Sequence, residues 1–160
     1  MKADNKRILK AAAAAAVVIA ALRACLPVYR VTGKSMEPEL PDGSLILCRR
    51  LTEPKKGSIA AFRHNGRVLV KRIAALSGDI VECCDNGAVK VCGRQFGKPD
   101  VMACSPAVSC VVPKGRAFIV GDNREVSVDS RSSCVGLDSC RKCIGRAVLL
   151  LTPEGELRKL

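Results

Sequence analysis

The sequence predicts a mainly β protein, a compact antiparallel β domain behind one N-terminal transmembrane helix. Two observations carry that reading. An apolar, alanine-rich run near the N-terminus approaches the roughly 20 residues that a bilayer requires. Beyond residue 30 no window keeps a 3.6-residue period, and short apolar stretches alternate with turn signals instead. At 160 residues, 48% hydrophobic and 26% charged, the chain suits one domain with an appendage and has the apolar content for a core.

The elements follow in order. Lys2, Lys6, Arg7 and Lys10 precede Ala11 to Leu22, which carries no charge. Arg23 interrupts, and Ala24 to Tyr29 continue the apolar tendency; an arginine so near the end of a span can snorkel to the interface. A membrane anchor, a cleaved signal peptide and a soluble amphipathic helix all fit this pattern. The anchor reading divides the chain into residues 1–10 in the cytoplasm, 11–29 in the membrane and 30–160 outside, since basic residues stay on the cytoplasmic side. Strands are expected at Ser44 to Arg50, Ser58 to Arg63, Val68 to Leu76, Asp79 to Cys84, Ala88 to Cys92, Arg116 to Val120 and Ile144 to Leu151. Asn65-Gly66 and Asn86-Gly87 mark hairpins, because both turn residues must take positive φ. Residues 93–110, rich in Gly, Pro, Ser and Cys, read as a loop or small excursion.

Composition excludes several function classes. One tyrosine, three phenylalanines and no tryptophan leave too few aromatic platforms for stacked bases, so no nucleic-acid partner is expected. Phosphate-cradling glycine loops are absent. His64 is the sole histidine, so a histidine-based catalytic engine would have to run through it, and His-rich metal sites are excluded. Cys140-Arg141-Lys142-Cys143 is half a zinc site without a matching second half, and neither metal nor cofactor is expected. If the body lies outside the cytoplasm, the nine cysteines beyond Cys25 are expected to form disulfides, with at least one left free or paired between chains and Cys104–Cys110 and Cys134–Cys140 as guesses. The net charge is +12, of which the first 30 residues supply +5. The remaining basic excess is a solvated surface that attracts polyanions, anionic lipid heads included.

Three segments carry chemistry. Gly33-Lys34-Ser35-Met36-Glu37-Pro38-Glu39-Leu40 follows the apolar run. Val68 to Asp79 places Lys71 within an apolar strand, where burial disfavours an ammonium and lowers its pKa toward the range of a general base. Gly121 to Arg131 is a polar stretch closing a strand. Ser35-Met36-x-Pro38-x-Leu40, Val70-Lys71-Arg72 with Gly78-Asp79, and Gly121-Asp122-Asn123 with Ser127-x-Asp129-Ser130-Arg131 together resemble the boxes of the type I signal peptidases, the membrane-anchored Ser/Lys proteases of the S26 family.

That resemblance runs to about Ala147 and implies a partly barrel-like antiparallel β domain. It implies Ser35 as nucleophile, Lys71 as its general base and Ser127 as the group that orients Lys71. Asp122, Asp129 and Arg131 would buttress the site, and Met36 and Pro38 would contact substrate. The implied substrates are secretory pre-proteins with small residues at the cleavage site, met at the plasma membrane by a single-pass enzyme with its N-terminus in the cytoplasm. Gly33, Glu39 and Ala75 depart from the commonest family pattern. Two rivals differ in kind: a self-cleaving Ser/Lys repressor-type domain, which would carry a DNA-binding helical domain, and a non-catalytic Cys-rich β binding module.

Overall fold

The computed structural model describes residues 2–50, 53–84, 88–97, 106–132 and 135–160. Helix α1 (Lys2–Cys25) leads into a body of twelve short strands among the described residues. They are β1 (Val28–Arg30), β2 (Leu45–Arg49), β3 (Ile59–His64), β4 (Arg67–Leu76), β5 (Ile80–Cys84) and β6 (Val89–Val91). The chain continues with β7 (Arg94–Gln95), β8 (Pro106–Val111), β9 (Arg116–Val120), β10 (Asp138–Ser139), β11 (Cys143–Leu151) and β12 (Leu157–Lys159), with a 3-10 turn at Cys140–Lys142.

The helix ends earlier than residue 29. Pro27 lacks the N–H that would continue the helical ladder, and Val28 to Arg30 pair with Leu45 to Leu47 as β1 against β2. Lys6–Cys25 is long and apolar enough to cross a membrane, and none of it is buried against the body.

All strand pairs are antiparallel. The main sheet runs β1-β2-β11-β3-β4-β9-β10, with β12 against β11, and the smaller sheet runs β7-β6-β5-β8. Asn65 and Gly66 both take positive φ, 45° and 78°, so β3 turns directly into β4 with His64 opposite Arg67. Asn86-Gly87 lies outside the described residues. The segment expected to be a loop contains β7 and β8; β8 pairs with β5, Val81 opposite Cys110, an alternating apolar partnership that its Cys- and Ser-rich composition hid.

Packing follows strand alternation. Val31, Met36, Leu40, Ile46, Ile59 and Leu150 form one cluster beneath β2, β3 and β11. On the other face Phe62 and Ile73 pack with Ala60, Ala117 and Ile119. A register shift in β4 between Ile73 and Ala75 turns the strand so that Ala74 and Ala75 join Val81, Val89, Val112 and Phe118. That third cluster fastens the smaller sheet to the larger one.

The cysteine guesses do not hold. Cys110 and Cys140 are free thiols, so neither Cys104–Cys110 nor Cys134–Cys140 forms; Cys104 and Cys134 lie outside the described residues. Cys110 is committed to a strand and Cys140 to the 3-10 turn, and proximity in sequence does not bring their sulfurs to a partner. Cys84 is disulfide-bonded. Among the described residues no group of three or more His, Cys, Asp or Glu side chains could hold a metal.

Phe62 is fully buried at the centre of its cluster. Phe62→Ala is expected to destabilise the full chain in detergent by about 3–5 kcal/mol, read from denaturant midpoints; a loss below about 1 kcal/mol would contradict the packing described.

Candidate active site

The three sequence segments converge where β4 leaves β9. Residues Arg67 to Arg72 pair with β3 along one edge, while β9 joins the other edge only from Arg72 onward. Lys71 therefore sits just before the junction, opposite Ala60, and is only 4% exposed. Its Nζ lies 2.7 Å from Ser35 Oγ and 3.1 Å from Ser127 Oγ.

Each partner is held from behind. Ser35 opens a tight turn in which Leu40 N–H donates to Met36 C=O at 2.9 Å, and Met36 and Leu40 are both buried in the core. Asn123 N–H donates to Ser35 C=O at 3.1 Å, tying the serine to the segment after β9. Asp129, with no exposed surface, accepts Gly121 N–H at 2.8 Å and takes the Arg131 guanidinium through Nε at 2.9 Å and Nη2 at 3.0 Å. Ser130 Oγ accepts Ile119 N–H, and Ser130 N–H returns to Ile119 C=O, both at 3.0 Å. These bonds fold residues 121–131 back over β9 and aim Ser127 at Lys71.

Burial is the largest influence on the charge of Lys71. Burial pushes the Lys71 pKa down; Asp129 raises it, Arg131 lowers it and Asp122 raises it, and the result lies below the ordinary 10.5. Asp129 goes the other way. Burial disfavours its carboxylate, but Arg131, the Gly121 N–H and the Ser127 hydroxyl outweigh that and hold its pKa below 3.8. A fixed carboxylate thus lies one hydroxyl away from a lysine whose pKa burial lowers.

The other predicted residues divide. Asp122 pairs bidentately with Arg72, at 2.8 and 2.7 Å, and so braces the strand beside Lys71. Met36 lines a small cavity of about 140 Å³ together with Val31, Ser35, Leu69, Val70 and Lys71. Pro38 lines a separate cavity of about 610 Å³ with Arg72, Asp122 and Asn123. His64 stands apart, its Nδ1 3.7 Å from Asp138. Gly33 has φ +88°, a conformation that favours glycine, and open space where a side chain would project.

Sequence reasoning gave Arg72 no role and read Gly121 only as a turn residue. A Cβ on Gly121 would overlap Ser127 Oγ and Ser35 C=O, so the absence of a side chain there is what lets the two serines approach. The signal was present in the Gly-Asp-Asn run, but it shows only once both serines are placed. Gly121→Ala is therefore expected to lower kcat/KM for cleavage of a model pre-protein by at least about 100-fold with an unchanged circular dichroism spectrum. Turnover like that of the unsubstituted chain would show that the close approach is unnecessary.

Comparison with known proteins gives a consistent result. Residues 5–152 match the family described as signal peptidase, peptidase S26. Among curated relatives, a signal peptidase I of Bacillus amyloliquefaciens is 29% identical, over 99% of this chain and 99% of its own length. A signal peptidase I of Bacillus licheniformis is 30% identical, over 94% of this chain and 90% of its own. A crystal structure of a signal peptidase I from Enterococcus faecalis V583 aligns with TM-score 0.47 and 25% identity, covering 59% of this chain and 97% of that one. With nearly its whole length matched, the chain belongs to the signal peptidase family, peptidase S26.

Proposed function

We propose that this chain removes N-terminal signal peptides from secretory pre-proteins, with Ser35 as nucleophile and Lys71 as general base. The observation that carries the reading is the 2.7 Å separation of Ser35 Oγ and a buried Lys71 Nζ. A neutral amine has one lone pair and two N–H groups. It can accept the Ser35 proton while donating to Ser127 Oγ, 3.1 Å away, which fixes the direction of the lone pair.

In the acylation step Oγ bonds to the scissile carbonyl carbon as its proton passes to Nζ. The carbonyl oxygen becomes an oxyanion, which the Ser35 N–H can stabilise; among the described residues no acceptor already engages that N–H. Collapse breaks the C–N bond, and Nζ gives its proton to the departing amine. Water then transfers a proton to Nζ as its oxygen attacks the ester, releasing the signal fragment and restoring the Ser35 hydroxyl. Asp122, Asp129 and Arg131 act in this scheme through the strand and loop they hold, without touching the reacting atoms.

The unpaired edge of β4 from Val68 to Lys71 suits an extended substrate, which would add as a further strand. Its residue before the cleaved bond would enter the 140 Å³ cavity against Met36, Leu69 and Val70, where an alanine or glycine side chain fits best. Pro38 would meet the substrate on the other side of Ser35. Helix α1 would anchor the chain in the plasma membrane with its basic N-terminus in the cytoplasm and the β body outside. Only nine residues lie between Cys25 and Ser35, at most ~35 Å of extended chain, so the nucleophile would work near the membrane surface.

Ser35→Ala and Lys71→Ala, each in the full chain in detergent, are expected to reduce cleavage of a model pre-protein by at least about 1,000-fold while leaving the β spectrum intact. Residual turnover within tenfold of the unsubstituted chain in either variant would overturn the assigned roles.

A further inference from the structure

A second cavity, of about 450 Å³, lies away from the serine and includes Arg50, Arg63, Arg141 and Lys142 in its lining, with no carboxylate among the lining residues. Its place in the fold is set by the sheet register. Cys48 N–H donates to Pro27 C=O and Arg50 N–H to Cys25 C=O, both at 2.9 Å, so the β1–β2 ladder runs on to the last residue of α1. Arg146 opposite Arg49, and Cys143 opposite Phe62, carry the same end of the sheet across β11 to β3. The cavity therefore opens at the edge of the body from which the apolar helix leaves.

Two of the four charges there, Arg50 and Arg63, are not offset from within the described residues. Asp138 is 1% exposed and lies 3.6 Å from Lys142 Nζ and 3.7 Å from His64 Nδ1, so its charge lies beneath the cavity. Arg50 and Arg63 have no ion-pair partner among the described residues, and both are exposed. Like charges gathered around one opening repel until an anion enters. Guanidinium groups present forked N–H donors that match phosphate oxygens, and a neighbouring ammonium adds a point charge.

We propose that this cavity binds the phosphate of an anionic phospholipid headgroup in the leaflet from which α1 emerges. The proposal rests on the reading of α1 as a membrane anchor, which brings a backbone-tethered arginine cluster to the depth of the headgroups. Free phosphate shares the chemistry; the tether of Arg50 to the end of the helix favours lipid. Such a site orients the body on the bilayer, because the sheet end that carries the cluster is held down while β4 and Ser35 remain rigidly connected to it through β3.

The test is native mass spectrometry of the full chain in nonionic detergent, titrated with phosphatidylglycerol, phosphatidylcholine or inorganic phosphate. Phosphatidylglycerol should be retained over phosphatidylcholine by about tenfold, and Arg50→Gln with Arg63→Gln should lower that retention by about tenfold. Arg94→Gln with Lys114→Gln removes the same charge from exposed positions on other parts of the body and should change retention by less than about twofold. If the Gln pair misfolds by circular dichroism, Arg50→Lys with Arg63→Lys, which keeps the charge but loses the forks, should still weaken retention severalfold. Equal retention of the two lipids, equal losses in the pocket and control variants, or displacement of the lipid by equimolar inorganic phosphate would each overturn the proposal. Retention in micelles is independent of cleavage and of membrane insertion. Flotation of the chain on neutral vesicles reports the anchor reading separately.

Discussion

The burial of a lysine against two serine hydroxyls is the physical constraint on which the rest of this structure depends. An amine exposed to water near neutral pH is an ammonium with no lone pair to offer. Moving Lys71 into the body, 4% exposed and against Ser35 and Ser127, disfavours that charge and lowers its pKa beside a hydroxyl. The core does not permit this by accident. Lys71 faces Ala60 across the sheet, a small partner, and the buried Met36 and Leu40 fix the turn that presents Ser35.

Two opposing charges keep that balance. The Asp129 carboxylate would pull the lysine back toward the ammonium, yet Arg131 takes both its oxygens. The Arg131 guanidinium in turn disfavours the charged amine. Asp122 is similarly engaged by Arg72. Each nearby acid thus has an arginine of its own, and desolvation is the largest influence on the Lys71 pKa. The single histidine of this serine endopeptidase of the signal peptidase family sits with Asp138, apart from Ser35 and Lys71.

Much of the fold is legible in the residues because its signals are local. Asn65-Gly66 specifies the β3–β4 hairpin through positive φ, alternate residues of β2 are buried, and the continuous apolar run of β9 is buried on both faces. β1 and β8 are not legible in that way. Val28 to Arg30 continue an apolar run, and β8 is a short segment in a Gly-, Pro-, Ser- and Cys-rich stretch whose partner β5 lies more than twenty residues upstream. Free Cys110 and Cys140 show the same limit, since thiol pairing depends on three-dimensional approach. At the site, the buried position of a lysine inside an apolar strand could be anticipated from its neighbours. The space left by Gly121 arises where Ser127 and the distant Ser35 meet it, and the brace between Arg72 and Asp122 joins residues 50 apart, so neither could be.

The charge on Lys71 itself is the quantity to measure. Nuclear magnetic resonance of the lysine side-chain resonances in the full chain, followed across pH in detergent, reads its titration directly. The account predicts a Lys71 pKa below the ordinary 10.5, moving back toward it when Ser35 and the body are unfolded. A Lys71 that titrates at or above 10.5 in the folded chain would contradict it, because the amine would then remain protonated beside the serine.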